Sequence, residues 1–128
     1  MRDIDQIFAR LEKSAFRSRF RLGAREQNYL ASSGLPAVLD HARRFVDERL
    51  APANPHNDGN QTPFKGHPAF IAQHATATCC RSCLEKWHAI PRGHDLTADQ
   101  RDHVIAVLKQ WLETEAQKPA PDRDRTRH

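Results

Sequence analysis

Three cysteines, Cys79, Cys80 and Cys83, lie within five positions, and His67, His74 and His88 flank them. Thiolate and imidazole are the donors zinc takes, and a CxxC such as Cys80-Arg81-Ser82-Cys83 at a turn or helix start lets two sulfurs reach one ion. The spacing therefore predicts a single metal site, with zinc as the default ion. Cys80 and Cys83 lead the ligand set, His67 and His74 follow, and Cys79 and His88 stand in reserve. More donors are present than a tetrahedral ion needs. That favours a closed structural site over a catalytic one with an open position. If the ion were catalytic, Asp58 on the preceding segment would be a better base than Glu85, which projects from a polar helix face.

The elements that must carry these groups follow from periodicity. Thr78 is an expected cap for a helix from Cys79 to about Ala89, stopped by Pro91 and Gly93. At about 100° per residue, Cys79, Cys80, Cys83 and Trp87 share one arc, while Arg81, Ser82 and Glu85 face the other way. His88 falls at the edge of the arc. Between residues 51 and 68, Pro52, Pro55, Pro63 and Pro68 exclude regular helix, and Asn57-Asp58-Gly59-Asn60 reads as a tight turn. This long Pro-rich loop would deliver the histidines to the thiols. Pro68 to Ala72 reads as a strand or a loop. Two rival readings of the cysteines remain: small buried residues on a core face, or a CxxC redox couple, for which the usual βαβ setting is missing.

The rest of the chain reads as a small, mainly α, single-domain helical fold. Ile4, Ile7, Phe8 and Leu11 trace a first helix capped by Asp3, and a short irregular stretch runs from Lys13 to Leu22. A helix over Ala24 to Ala31 ends near Gly34. Pro36 opens another, whose apolar face includes Val38, Ala42, Val46 and Leu50. Thr97 with Gln100 forms a capping box for a last helix that buries Val104, Val107, Leu108, Trp111 and Leu112. Residues 1–116 form the expected domain. Residues 117–128, rich in Pro and charge, read as a disordered tail.

Composition narrows the setting. The chain has 128 residues, enough for one domain, and none of its apolar runs could span a bilayer. No signal-peptide core follows Met1, and three clustered thiols with no distant partner fit a reducing compartment, so a cytoplasmic protein is expected. A net charge of +4 permits nucleic acid as a partner without requiring it. Arg17, Arg19, Arg21 and Arg25 around Phe16 and Phe20, with Arg43, Arg44 and Arg49 on the next long helix, would supply phosphate contacts and stacking rings if they converged. Otherwise the rings are core and the arginines solvated.

Several blocks carry a resemblance. These are Asn57-Asp58-Gly59, Gln61-Thr62-Pro63, Gly66-His67-Pro68, the run from Ala72 to Arg81, and Cys83 to His88, with Ser14, Phe16, Arg17 and Phe20 upstream and Arg49-Leu50-Ala51-Pro52 between. Together they resemble the small, mostly bacterial domain-of-unknown-function 4186 family over about residues 8–112. Asn60 and Phe64 depart from the residues typical of that family. The resemblance implies one helical domain and brings no reaction, substrate or cofactor. The functional expectation is a zinc-binding interaction module that contacts nucleic acid. A metal-dependent hydrolase or a CxxC thiol oxidoreductase is the enzyme alternative.

Overall fold

The computed structural model describes residues 1–119, and among them it holds seven α-helices and no strand. Helix α1 (Ile4–Lys13) starts where Asp3 accepts a hydrogen bond from the Gln6 backbone N–H, as the pattern predicts. Ser14 ends it and caps the short α2 (Ala15–Ser18). Helix α3 (Ala24–Ser33) stops at Gly34, whose φ of 87° suits a residue without a Cβ. Helix α4 (Leu35–Phe45) runs into a wider π-helical stretch, Val46–Leu50, which the Ala51 N–H closes onto the Val46 carbonyl.

Helix α5 (Pro68–Ala75) stands where a strand or loop was expected. Its sequence, PAFIAQHA, has no polar face, and every residue except Phe70 is buried. A short helix buried on every side, with Gln73 and His74 bonded inside the protein, is an interior helix. It packs against α2, α3, α4 and α7. Helix α6 (Arg81–His88) begins two residues later than the spacing suggested, and its cap is Cys80 rather than Thr78. Helix α7 (Ala98–Gln117) carries the full capping box of Thr97 and Gln100. Val104, Val107, Leu108 and Leu112 are buried in it as expected, and Trp111 packs at the margin. Gln117 is the last residue of α7, and residues 120–128 of the expected tail lie outside the described residues.

The main core joins α3, α4, α5, α6 and α7. A second, smaller cluster of Ile7, Leu11 and Ala77 attaches α1 beneath Cys83 and Trp87. Among the described residues no helix is long and apolar enough to cross a membrane.

Candidate metal centre

The thiol centre lies in the connection between α5 and α6. Helix α5 ends in a tight reversal: the Thr78 N–H reaches the Gln73 carbonyl at 2.8 Å and the Ala77 N–H reaches that of His74 at 3.4 Å. This is the Schellman pattern, with Ala77 at the left-handed position (φ 59°) that glycine usually takes. Thr76 and Thr78 share a hydrogen bond in the interior, and Gln73 Nε2 donates to the Thr78 carbonyl. The chain then extends through Cys80, whose sulfur accepts the Cys83 N–H at 3.4 Å and so caps α6.

That turn brings Cys79, Cys80 and Cys83 together. Their three sulfurs all lie within 4.8 Å of one another, and Cys79 Sγ is 3.7 Å from Cys83 Sγ. Cys79 and Cys80 are buried and Cys83 is half-buried. Arg17, from α2, reaches into the centre. Its Nη2 donates to Cys83 Sγ at 3.2 Å, while Nη1 lies 3.7 Å from Cys79 Sγ and donates to the His74 carbonyl at 2.7 Å. Hydrogen bonds from the Cys79 and Cys80 thiols hold the Cys83 thiol far below its ordinary range, and Arg17 adds to the effect. Cys79, which keeps its proton in that sharing, is pushed up by its bonds to Cys80 and Cys83 and by burial.

The histidines go to other partners. His67 caps α5: its Nδ1 accepts the Ala69 N–H at 3.0 Å, so the ring proton is on Nε2, which faces His41 Nδ1 at 3.0 Å. Burial, then the neighbouring His41, lowers its pKa to about 4. In this arrangement both ring nitrogens are engaged and His67 has no lone pair to give. His88 is fully buried; Nε2 donates to the Thr76 carbonyl at 2.8 Å and Nδ1 faces His103 Nε2 at 3.0 Å. Burial takes its pKa to about 4 as well. His74 stacks on Phe64 with 3.9 Å between centroids and gives its Nε2 proton to the Thr62 carbonyl at 2.9 Å. A carbonyl only accepts, so the His74 lone pair is on Nδ1. Burial lowers the His74 pKa, against the Thr62 bond that raises it. The structure thus gathers the three cysteines and sets His67 and His88 to capping and bridging tasks. Of the three histidines, His74 alone keeps a lone pair outside these bonds.

Asp58 holds contacts within the loop and to α6. Its Oδ1 accepts from the Arg81 N–H and Gln61 Nε2, and Oδ2 lies 3.8 Å from Arg92. Glu85, as expected on the outer face, accepts the Arg92 N–H.

Arg81 corrects the helical projection. Expected to face outward, it is 1% exposed. Nη1 donates to the carbonyls of Leu50 (3.3 Å), Ala51 (3.4 Å) and Pro52 (2.7 Å), and Nη2 to those of Pro91 (3.2 Å) and His94 (2.9 Å). The guanidinium therefore bonds the carbonyls after α4, of which that of Ala51 also accepts the Leu96 N–H, and ties them to the segment after α6. Thr62 Oγ1 donates to the Cys79 carbonyl at 2.9 Å, pinning the Pro-rich loop to the thiol turn from the other side. Arg17, Arg81 and Thr62 were not singled out as site residues. No local spacing links Arg17 to cysteines more than sixty positions away, whereas Arg81 had a signal in its place directly after a CC pair that could serve as a cap.

A family model, Domain of unknown function (DUF4186), matches residues 5–113, most of the chain. The chain belongs to that family. No solved structure matches it. Membership in DUF4186 agrees with one helical domain that includes the thiol turn, the Arg81 clamp and Arg17, all of which fall within the matched span.

Proposed function

We propose that this DUF4186 protein binds one zinc ion through the thiolates of Cys79, Cys80 and Cys83. The observation that carries the reading is the sulfur geometry. Zinc–sulfur bonds of about 2.3 Å at tetrahedral angles put two sulfurs about 3.8 Å apart, and Cys79 and Cys83 are already 3.7 Å apart. Three thiolates around a dication leave one negative charge, and the Arg17 guanidinium beside two of the sulfurs offsets it. The three sulfurs are the donors gathered at one point among the described residues, which leaves the fourth position to a donor from outside that group. Three reduced thiols also fit a cytoplasmic setting.

The site serves as an interaction centre more than a folding staple. The loop before it is secured by Arg81 and Thr62 without the thiols, and Cys83 is reachable from outside. Metal analysis of the purified protein, with thiol titration before and after chelation, tests this. One ion per chain and three thiols that react only after chelation are expected. Metal-free protein with three freely reactive thiols would overturn the reading, and Cys83→Ser with full metal content would overturn the ligand set.

One observation favours a second reading. The Cys79 and Cys83 sulfurs share a proton beside Arg17, an arrangement suited to a thiol that attacks a disulfide. A reversible Cys79–Cys83 disulfide formed with a small-molecule disulfide, in protein that never carries metal, would support it.

A further inference from the structure

Across the thiol centre runs a strip of rings and arginines in contact with one another. Phe64 lies over His74 and is stacked with Phe20 at 6.4 Å; Phe20 meets Phe16 edge-on at 5.2 Å. Arg17 and Arg19 sit over the Phe16 ring at 5.0 and 5.3 Å. Arg17 and Arg10 sit over Trp87 at 5.9 and 5.1 Å. Phe64 is 63% exposed and Phe16 42%, the two exposed Phe, Tyr or Trp rings among the described residues. Among the described residues, no carboxylate pairs with Arg10, Arg17 or Arg19, whereas Arg21, Arg43, Arg92 and Arg101 each have one.

We propose that this strip binds single-stranded nucleic acid, with bases stacking on Phe64 and Phe16 and phosphates meeting Arg19 and Arg10. Cations alone would suit any polyanion. The exposed rings decide between them, because an acidic peptide has no flat face to place on Phe64, and a duplex keeps its bases stacked on each other. Bases stack on aromatic side chains whatever their sequence, and Arg19 over Phe16 and Arg10 over Trp87 give a phosphate its counter-charge. The strip so described stacks two bases and meets two phosphates. Arg17 and His74 are shared with the thiol site, whereas Phe64, Phe16, Arg19 and Arg10, which meet the strand, need no ion.

The test is fluorescence anisotropy of a labelled twelve-residue oligothymidylate with the full chain, in rising salt. Binding is expected to weaken with log salt at a slope of about −1.4, the value for two neutralised phosphates on a single strand. Phe64→Ala should weaken binding about 5- to 150-fold, the loss of one stacked base. Arg19→Glu should weaken it at least tenfold and flatten the slope, while Arg44→Glu, on the exposed side of α4, should leave it unchanged. No binding at low salt would overturn the proposal. So would binding that Phe64→Ala leaves intact, or equal competition by a duplex or by polyglutamate. Both arms hold for metal-free protein too, so failure of the zinc reading would show separately.

Discussion

Cys80 and Arg81 are neighbours, yet they face two different kinds of environment. On one side, Arg81 is sealed from water and its two terminal nitrogens meet five carbonyls. On the other, three sulfurs crowd together with one half-buried, one sharing its proton and, among the described residues, one guanidinium within hydrogen-bond reach. Groups bonded to backbone from several segments hold a fold, as the Arg81 terminal nitrogens are, although its Nε has no partner. Groups left with spare lone pairs and a reachable face are available for a ligand. The first turn of α6 separates the two tasks by one residue, so each can be broken alone.

The largest effect is expected at Arg81. Arg81→Met leaves buried carbonyls without a donor, each costing about 1–3 kcal/mol unless water reaches it. A net loss of about 3–5 kcal/mol follows, seen as a fall in Tm of roughly 10–20 °C. Arg81→Lys should recover less than half, because a point cation cannot bridge the two groups of carbonyls that the planar fork reaches. Thermal denaturation by circular dichroism decides this. A drop below about 1 kcal/mol for Arg81→Met would mean the clamp is not what secures the loop.

How far these roles could be read from sequence depends on the starting point of one helix. The patterns at Asp3, Gly34, Pro36 and Thr97 mark local events, since a cap bonds to an N–H two or three residues away, and they stand where expected. The gathering of the cysteines is also local. The projection of α6 assumed a start at Cys79, and a cysteine is an unusual cap. With Cys80 outside the helix, the face that holds Arg81 meets Leu50 to Pro52, which lie some thirty positions back and leave no trace in periodicity. His67 shows the same limit. The sequence marks it as a donor near thiols, but Pro68 makes it the residue before a helix, and its Nδ1 is spent on the Ala69 N–H. A ring nitrogen's partner is a property of the assembled core. Helix α5 was missed because six apolar residues with only Gln73 and His74 near the end carry neither helical nor strand alternation.

The other end of α6 belongs to the Arg81 side, and pH tests it. His88 has a folded pKa of about 4, set mainly by burial, against 6.5 when unfolded. Between those values the unfolded chain binds the proton and the folded one does not. Stability should therefore be flat above pH 6.5, fall as pH drops from 6.5 to 4, and level off below that. The full loss is on the order of 3 kcal/mol. His88→Gln, whose amide can still donate to Thr76 and accept from His103, should remove this part of the slope. A slope unchanged in His88→Gln would assign the titration elsewhere.

Metal removal should do less to the fold than either change. If the ion adds stability only by mass action, protein held at a free metal concentration of about 100 times its Kd gains about 2.7 kcal/mol. Chelation should remove that increment and lower Tm, yet leave the far-ultraviolet helix signal at 25 °C intact, because the clamp and Thr62 remain. Loss of helix on chelation, as in a domain that folds only around its metal, would reverse the assignment and make the thiols the staple.

The smallest effect compares two alanines that bracket the site. Ala77 precedes the thiols and Ala89 follows α6, with φ of 59° and 57°. The left-handed region costs a residue with a Cβ about 1–2 kcal/mol, and glycine returns about 0.4–1 kcal/mol of that through its freer unfolded chain. Ala89 is exposed, so Ala89→Gly should stabilise by about 0.5–1 kcal/mol. Ala77 is 0% exposed and its methyl packs with Ile7 and Leu11. Removing that methyl costs about 0.8 kcal/mol before any cavity is counted, so Ala77→Gly should be neutral or destabilising. Chemical denaturation resolves the difference of about 1 kcal/mol between the two variants. Equal stabilisation by both would mean that the Ala77 methyl contributes nothing to anchoring α1, and that the thiol turn is held from the α5 side alone.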